Sequence, residues 1–357
     1  MRKQTRNPPD AVVPLQGGCG QTWPPSLVVG MIRARLAMID AAVLALVLLS
    51  LVSLAGDEAW AHGESVRGSG GSTLNTVGGE TSEGISASVR YDQRDFARFS
   101  DQELLDFRRV QSEDVHQHER EQSVFLSVAA GITEDWDLYL QLPFKRFSNF
   151  RDNGDDFAVS NDTISATDVS QGLGDLLIFG KYRFWEANDH HLAVLAGIKL
   201  PTGRVRERTN AGDTVGTHNQ PGSGSVDFQL GGAYTGHFFD GALGLSADLI
   251  GRINTEGAGS FRSGNSVQAD LAISYRPHAR LVPVAELNLI AQERDTEENE
   301  VKRNSGARSL FLSVGALLSL TERQSAFGVF SVPLWQDLPG IQNDEDFRFS
   351  VGYGVGF

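Results

Sequence analysis

The residues with types and spacing suited to chemistry are few. His116 and His118 lie in Asp114-Val115-His116-Gln117-His118-Glu119 and share one face of the chain if that segment is extended. Two imidazoles so placed, with carboxylates alongside, suit Zn or Cu, and His62 would chelate similarly at a free N-terminus through its amine and imidazole. The plainer reading, exposed polar residues in loops, is the better one, so His62, His116 and His118 stand as metal candidates only. The acidic run Arg151-Asp152-Asn153-Gly154-Asp155-Asp156 lacks the ligand spacing and distal glutamate of a calcium loop. Gly174 to Gly180-Lys181 has five residues between its glycines and no Ser or Thr after the lysine, so it is not a phosphate loop. No G-x-S-x-G elbow occurs. These motifs point to no enzyme, and no cofactor is expected.

A larger set of ionisable residues is spaced by twos. Arg90, Asp92, Asp137, Tyr139, Asp175, Lys181, Arg183, Lys199, Asp227, Asp248, Arg252, Asp270, Arg276, Glu286 and Arg348 each alternate with apolar neighbours. In a β-strand that spacing puts the charges on one face and the apolar residues on the other. Both signs are balanced, as in a water-filled path or a paired plug. Phe125, Leu177, Phe179, Phe311, Phe327 and Trp335 fall on the same face and add an apolar patch. Such an interior would pass an amphipathic or aromatic solute better than simple ions.

The elements that carry these residues are predicted to be twelve strands. The last, Glu345 to Phe357, alternates Phe347, Phe349, Val351, Tyr353, Val355 and Phe357 with Arg348, Ser350 and glycines. Eleven similar segments precede it from Ile85 onward, each about nine to eleven residues, the length a tilted strand needs to cross a bilayer. Short links at 133–135, 186–190, 237–240, 277–280 and 321–324 alternate with long ones at 93–122, 148–172, 203–224, 253–265, 293–306 and 337–345. Transmembrane barrels sort their loops this way, with short periplasmic turns and both termini in the periplasm when the count is even. A soluble sandwich has no reason to. Trp136, Tyr182, Trp185, Tyr234, Tyr275, Tyr353 and Phe357 fall at one predicted level and form a periplasmic aromatic girdle. Phe99 to Val110 is a helical patch with Ser100 and Glu103 spaced as a capping box.

The N-terminus sets the compartment. Arg33 and Arg35 precede an apolar run from Ala41 to Ala55, and Ala59-Trp60-Ala61 follows, the order of a secretory signal peptide. Residues 1–61 are thus an extension and signal peptide cleaved after Ala61, with Met1 and Met31 both open as translation starts. Residues 62–83 read as a flexible lead and 84–357 as the barrel. Cys19 lies in the cleaved part, so no disulfide is expected in the mature chain. Beyond Ala61, 26 Lys and Arg against 41 Asp and Glu leave about −15, which argues against nucleic acid as a partner.

Gly172-Leu173-Gly174-Asp175-Leu176 leading to Gly180-Lys181-Tyr182-Arg183-Phe184, Gly197-Ile198-Lys199-Leu200-Pro201-Thr202-Gly203, and Pro221-Gly222-Ser223-Gly224-Ser225-Val226-Asp227 resemble the outer-membrane barrels of the meta-pathway phenol-degradation family. Ile132-Thr133-Glu134-Asp135-Trp136 and Leu140-Gln141-Leu142-Pro143 look like that family's turn and strand. The resemblance implies an outer-membrane channel or transporter-like protein, sometimes tied to aromatic substrates. On general grounds Pro143 and Pro201 belong at outer strand ends and Gly203 and Gly222 at turns. The expectation is a bacterial outer-membrane, antiparallel up-and-down barrel of about twelve strands that passes small amphipathic solutes. Its partners would be membrane lipid, the barrel-assembly machinery and the solute. Two alternatives are a barrel that anchors adhesive surface loops and a metal-linked barrel.

Overall fold

The computed structural model describes residues 75–82, 84–111, 115–152, 164–208, 212 and 215–357. The signal peptide, His62, Cys19 and the loop centre 153–156 lie outside the described residues, as does the side chain of His116. The barrel strands are β1 (Ile85–Phe96), β2 (Arg120–Thr133), β3 (Trp136–Asp152), β4 (Ser165–Leu173 continued by Leu176–Ala187), β5 (His190–Leu200), β6 (Asp227–Phe238), β7 (Leu243–Ile253), β8 (Ser266–Tyr275), β9 (Leu281–Gln292), β10 (Ala307–Ser319), β11 (Gln324–Asp337) and β12 (Glu345–Gly356). Each pairs antiparallel with its neighbours. β12 closes onto β1 from Ser86↔Gly356 to Asp95↔Phe347, and the Phe357 amide donates to the Ile85 carbonyl at 2.8 Å. Every ladder is thereby satisfied without an edge, as a backbone in hydrocarbon requires.

Alternation decides the faces. Leu126, Leu230, Leu249 and Ile273 are exposed on the outer wall, whereas Asp137, Ser246, Ala272, Glu286 and Ser313 on the opposite parity are buried. Leu230 is 70 % exposed, which water would not tolerate over a whole belt and lipid favours. At the periplasmic end the links are tight. Asn188 and Asp189 both take positive φ (49° and 62°), the two-residue turn whose twist matches the strands it joins.

Two bulges redirect side chains. One between Arg183 and Trp185 leaves both Phe184 and Trp185 facing out. Another sets Leu310 opposite Trp335 and Phe311 opposite Pro333, so Trp335 is 48 % exposed on the lipid face. Trp335 is therefore not part of the interior apolar patch; the extra residue, Leu334, reverses its parity. The strands on the loop side also run longer than expected. β3 spans 17 residues and β4 begins at Ser165, shortening the long link foreseen at 148–172.

The helix α1 (Asp101–Gln111) forms as foreseen, with the Ser100 amide donating to Glu103 Oε2 (2.8 Å) and the Glu103 amide donating to Ser100 Oγ (3.3 Å). That reciprocal cap holds the exposed Glu103 carboxyl below its ordinary range through its bonds from Ser100.

Candidate functional site: the barrel interior

The periplasmic half of the interior is occupied by the chain itself. Residues 75–82 run down inside the wall toward its periplasmic end, and their amides donate to the side chains that the alternation had placed inward. Ser82 N bonds Asp137 (3.0 Å to each oxygen), Gly79 N bonds Thr235 Oγ1 (3.0 Å), Val77 N bonds Asp248 Oδ2 (2.6 Å), and Asn75 N bonds both oxygens of Glu286 (2.9 and 2.8 Å). Lys181, fully buried, reaches the carbonyls of Gly78 and Glu80 and lies 3.4 Å from Asp137, which also accepts from Tyr139 at 2.6 Å. Glu80 pairs with His237. Burial would raise the Glu80 carboxyl, but the His237 hydrogen bond, with the charges of His237, His191 and Lys181, holds it below its ordinary value. Gly79 passes so close to the wall that a Cβ there would sit 2.5 Å from the His191 carbonyl oxygen.

The reading of 62–83 as a flexible lead therefore fails for 75–82. A segment without apolar periodicity gave no sign of structure because its partners are carboxylates on distant strands. Those carboxylates, expected to line a water-filled path or to pair off into a plug, accept backbone N–H groups of residues 75–82. A buried carboxylate with several donors is a stable arrangement, and an amide strand in a polar lumen supplies them.

At mid-height Lys199 lies 3.1 Å from Asp175 and 2.5 Å from Asp227. Asp175 sits where β4 breaks beside Pro143, the Gly174 amide donating to the Pro143 carbonyl (2.8 Å). It accepts from Gly203 N (2.9 Å), Ser223 N (2.9 Å) and Ser223 Oγ (2.7 Å). Gly203 and Gly222 meet there, a Cβ on Gly203 falling 2.6 Å from the Gly222 Cα. Neither has positive φ, so close approach, not turn geometry, demands glycine. Pro143 is likewise mid-strand, not at a strand end; the lapse in the β3–β4 ladder tolerates its missing N–H.

Asp270 accepts from Gln268 (2.5 Å) and Asn288 (3.0 Å), continuing a polar chain through Ser313 to Ser331. Arg252 faces Gln229 across the β6–β7 ladder. Arg183 is at the rim, paired with Asp135 (3.1 Å) and Glu186 (2.8 Å). Arg276 does not line the interior: it follows Tyr275, the last residue of β8, in an exposed turn. Among the girdle residues, Trp136 stacks on Tyr182 at 4.6 Å and Trp185, Tyr275 and Phe357 are exposed. Tyr234 bonds His190 Nδ1 at 2.8 Å. Tyr353 keeps outward parity but is only 8 % exposed.

Above the segment the interior opens into a vestibule of about 1020 Å³ on the loop side. Arg94 bridges Glu121 (2.9 Å) and Glu345 (2.8 Å), and Arg348 pairs with Glu345 (2.7 Å) while lying 3.7 Å over the Phe311 ring. Arg90 covers Phe125 at 4.3 Å beside Asp92 (3.0 Å). Beside Arg94, whose guanidinium lies 5.1 Å over the Phe96 ring, His118 is wedged edge-on between Phe96 (4.7 Å) and Phe147 (5.3 Å), its Nδ1 2.9 Å from Asn219 Oδ1. Burial, reinforced by Arg94 against the pull of Glu121, keeps this imidazole below its ordinary value, so it is neutral at pH 7. With one nitrogen on Asn219 it serves the wall of the vestibule. Among the described residues no group of three or more His, Cys, Asp or Glu could hold a metal ion.

Residues 118–333 match the family described as "Putative MetA-pathway of phenol degradation". The chain belongs to that family. Its signature segments meet at Asp175, which explains their glycines. Among solved structures, an outer membrane channel from Pseudomonas putida F1 superposes with a TM-score of 0.54 at 20 % identity, over 77 % of this chain and 96 % of that one. The NanC porin (TM-score 0.43, 9 % identity, 76 % and 100 % covered) and the Ralstonia pickettii toluene transporter TbuX (0.41, 10 %, 79 % and 92 %) are more distant. No protein in the curated set matches. The fold is that of an outer-membrane β-barrel, and the chain resides in the bacterial outer membrane, its apolar belt facing lipid.

Proposed function

We propose that the protein is a passive outer-membrane channel for small amphipathic, aromatic solutes, with residues 75–82 as the element that sets its aperture. The observation that carries this is the two-level interior. A roomy vestibule, faced with phenylalanine rings and paired charges, sits over a polar lower half filled by a tethered segment rather than by wall side chains. Rings beside cation–carboxylate pairs favour solutes that have a π-face and a polar edge. Twelve strands leave more interior than side chains alone fill, and the segment takes up the difference. The family name and the aromatic-hydrocarbon transporters among the structural neighbours agree with that solute class. Flux of a phenol-sized solute into liposomes holding the purified barrel tests it; flux no faster than through protein-free liposomes contradicts it.

The filled lower half favours one other reading, a barrel that only anchors its loops at the surface. That reading requires the interior to stay closed even when the 75–82 contacts are removed.

A further inference from the structure

The outer wall carries a feature that the channel reading does not use. On β1 to β4 the last apolar row facing lipid is Tyr91, Val124, Phe144 and Leu173, which are cross-strand partners. Two residues nearer the loops, about 7 Å along the strands, the next outward row is Gln93, Gln122, Arg146 and Gln171, again cross-strand partners. Three amides and a guanidinium thus form one ribbon at the level where hydrocarbon gives way to headgroups. Tyr91 OH donates to Gln93 Oε1 (2.8 Å) and accepts from Gln122 Nε2 (2.6 Å), fixing both amides on the wall. In the row beyond, Arg120 bonds Asp95 at 2.7 and 3.0 Å, so that pair is self-neutralised. Arg146 is not: among the described residues it has no ion pair, and its Nε is buried with no acceptor. Beside the ribbon the wall turns aromatic, with Phe349 5.8 Å from Tyr91 and Phe347 5.5 Å from Phe330.

We infer that this ribbon is a docking site for a phosphorylated glycolipid of the outer leaflet. Arg146 takes a headgroup phosphate, Gln122 and Gln171 take sugar hydroxyls while Gln93, bonded to Tyr91 and Asp95, braces the ribbon, and the rings of Phe347 and Phe349 lie along an acyl chain. A guanidinium without a carboxylate at an interface is poised for a phosphate, whose oxygens match its planar fork. An unpaired arginine facing hydrocarbon would instead be strongly unfavourable.

The test is binding of bisphosphorylated lipid A to the purified barrel in detergent. Wild type is expected to bind it at least tenfold more tightly than lipid A stripped of phosphate. Arg146→Gln is expected to lose that advantage, Arg146→Lys to keep part of it, and Arg308→Gln, an outward arginine on β10 paired with Asp337, to behave as wild type. Equal binding of the two lipids by wild type overturns the inference. So does an unaffected Arg146→Gln barrel, or competition by inorganic phosphate at the concentration at which lipid A binds. Because the measurement involves no flux, its failure leaves the channel reading standing.

Discussion

Replacing Glu286 by Gln should loosen residues 75–82 without disturbing the wall. Glu286 is 1 % exposed and holds the Asn75 amide with both oxygens, at 2.9 and 2.8 Å. Gln keeps the shape and one acceptor but gives up the charge, and charge-assisted hydrogen bonds are about twice as strong as neutral ones. The expected cost is roughly 1–2 kcal/mol, or about a tenfold fall in the ratio of seated to unseated segment. That shift is visible only if seating is marginal, and it should be. Ordering each residue of the segment costs about 1–2 kcal/mol, which offsets most of what its hydrogen bonds return. Single-channel recording in a planar bilayer reads the outcome. Glu286→Gln should show larger or more frequent openings than wild type, and joining Asn75→Cys to Ser313→Cys, side chains that approach to 3.3 Å in the native protein, should suppress them. Traces from Glu286→Gln that match wild type, with the cross-link also without effect, would refute the idea that this segment sets the aperture.

Acid should unseat the same segment. The Glu80 carboxyl is held below its ordinary 4.5, so its contribution is present above that pH and is lost as pH falls through the lower folded value; conductance should rise as the pH is taken below about 4.5. Gly203→Ala should cost about 1–3 kcal/mol by overpacking, since its Cβ would meet Gly222 and Asp175 at 2.6 and 2.8 Å, and heat-modifiable gel migration should show a lower melting temperature. Deleting Phe357 removes the amide that bonds Ile85 across the closing seam, and outer-membrane yield should drop while expression of the precursor is unchanged.

Strand periodicity carried most of the architecture, because lipid obliges the outward residues within the hydrocarbon belt to be apolar and the pattern repeats twelve times. It failed at Trp335 and left Trp185 unexplained, because a bulge adds one residue and reverses parity with no mark in composition. Arg276 was misplaced by a single residue at a strand end. Turn chemistry does not account for the signature glycines at 203 and 222: their role depends on Asp175, from another strand, reaching both loops at once. The inward charges were legible as inward. What they hold was not, since Asn75 to Ser82 has no period of its own and its partners lie from 53 to 238 residues away. His118 shows the same limit from the other side. Its pairing with Asp114 and Glu119 in sequence suggested a metal, whereas its ring is claimed by Asn219 and two phenylalanines.

Passage of solute through the barrel is read by flux into liposomes. Purified wild-type protein should admit a phenol-sized aromatic solute faster than a sugar of similar mass, and Glu286→Gln should admit both faster while keeping that order. Aromatic flux at the protein-free rate in both proteins would mean that no solute passes and that the barrel is only an anchor.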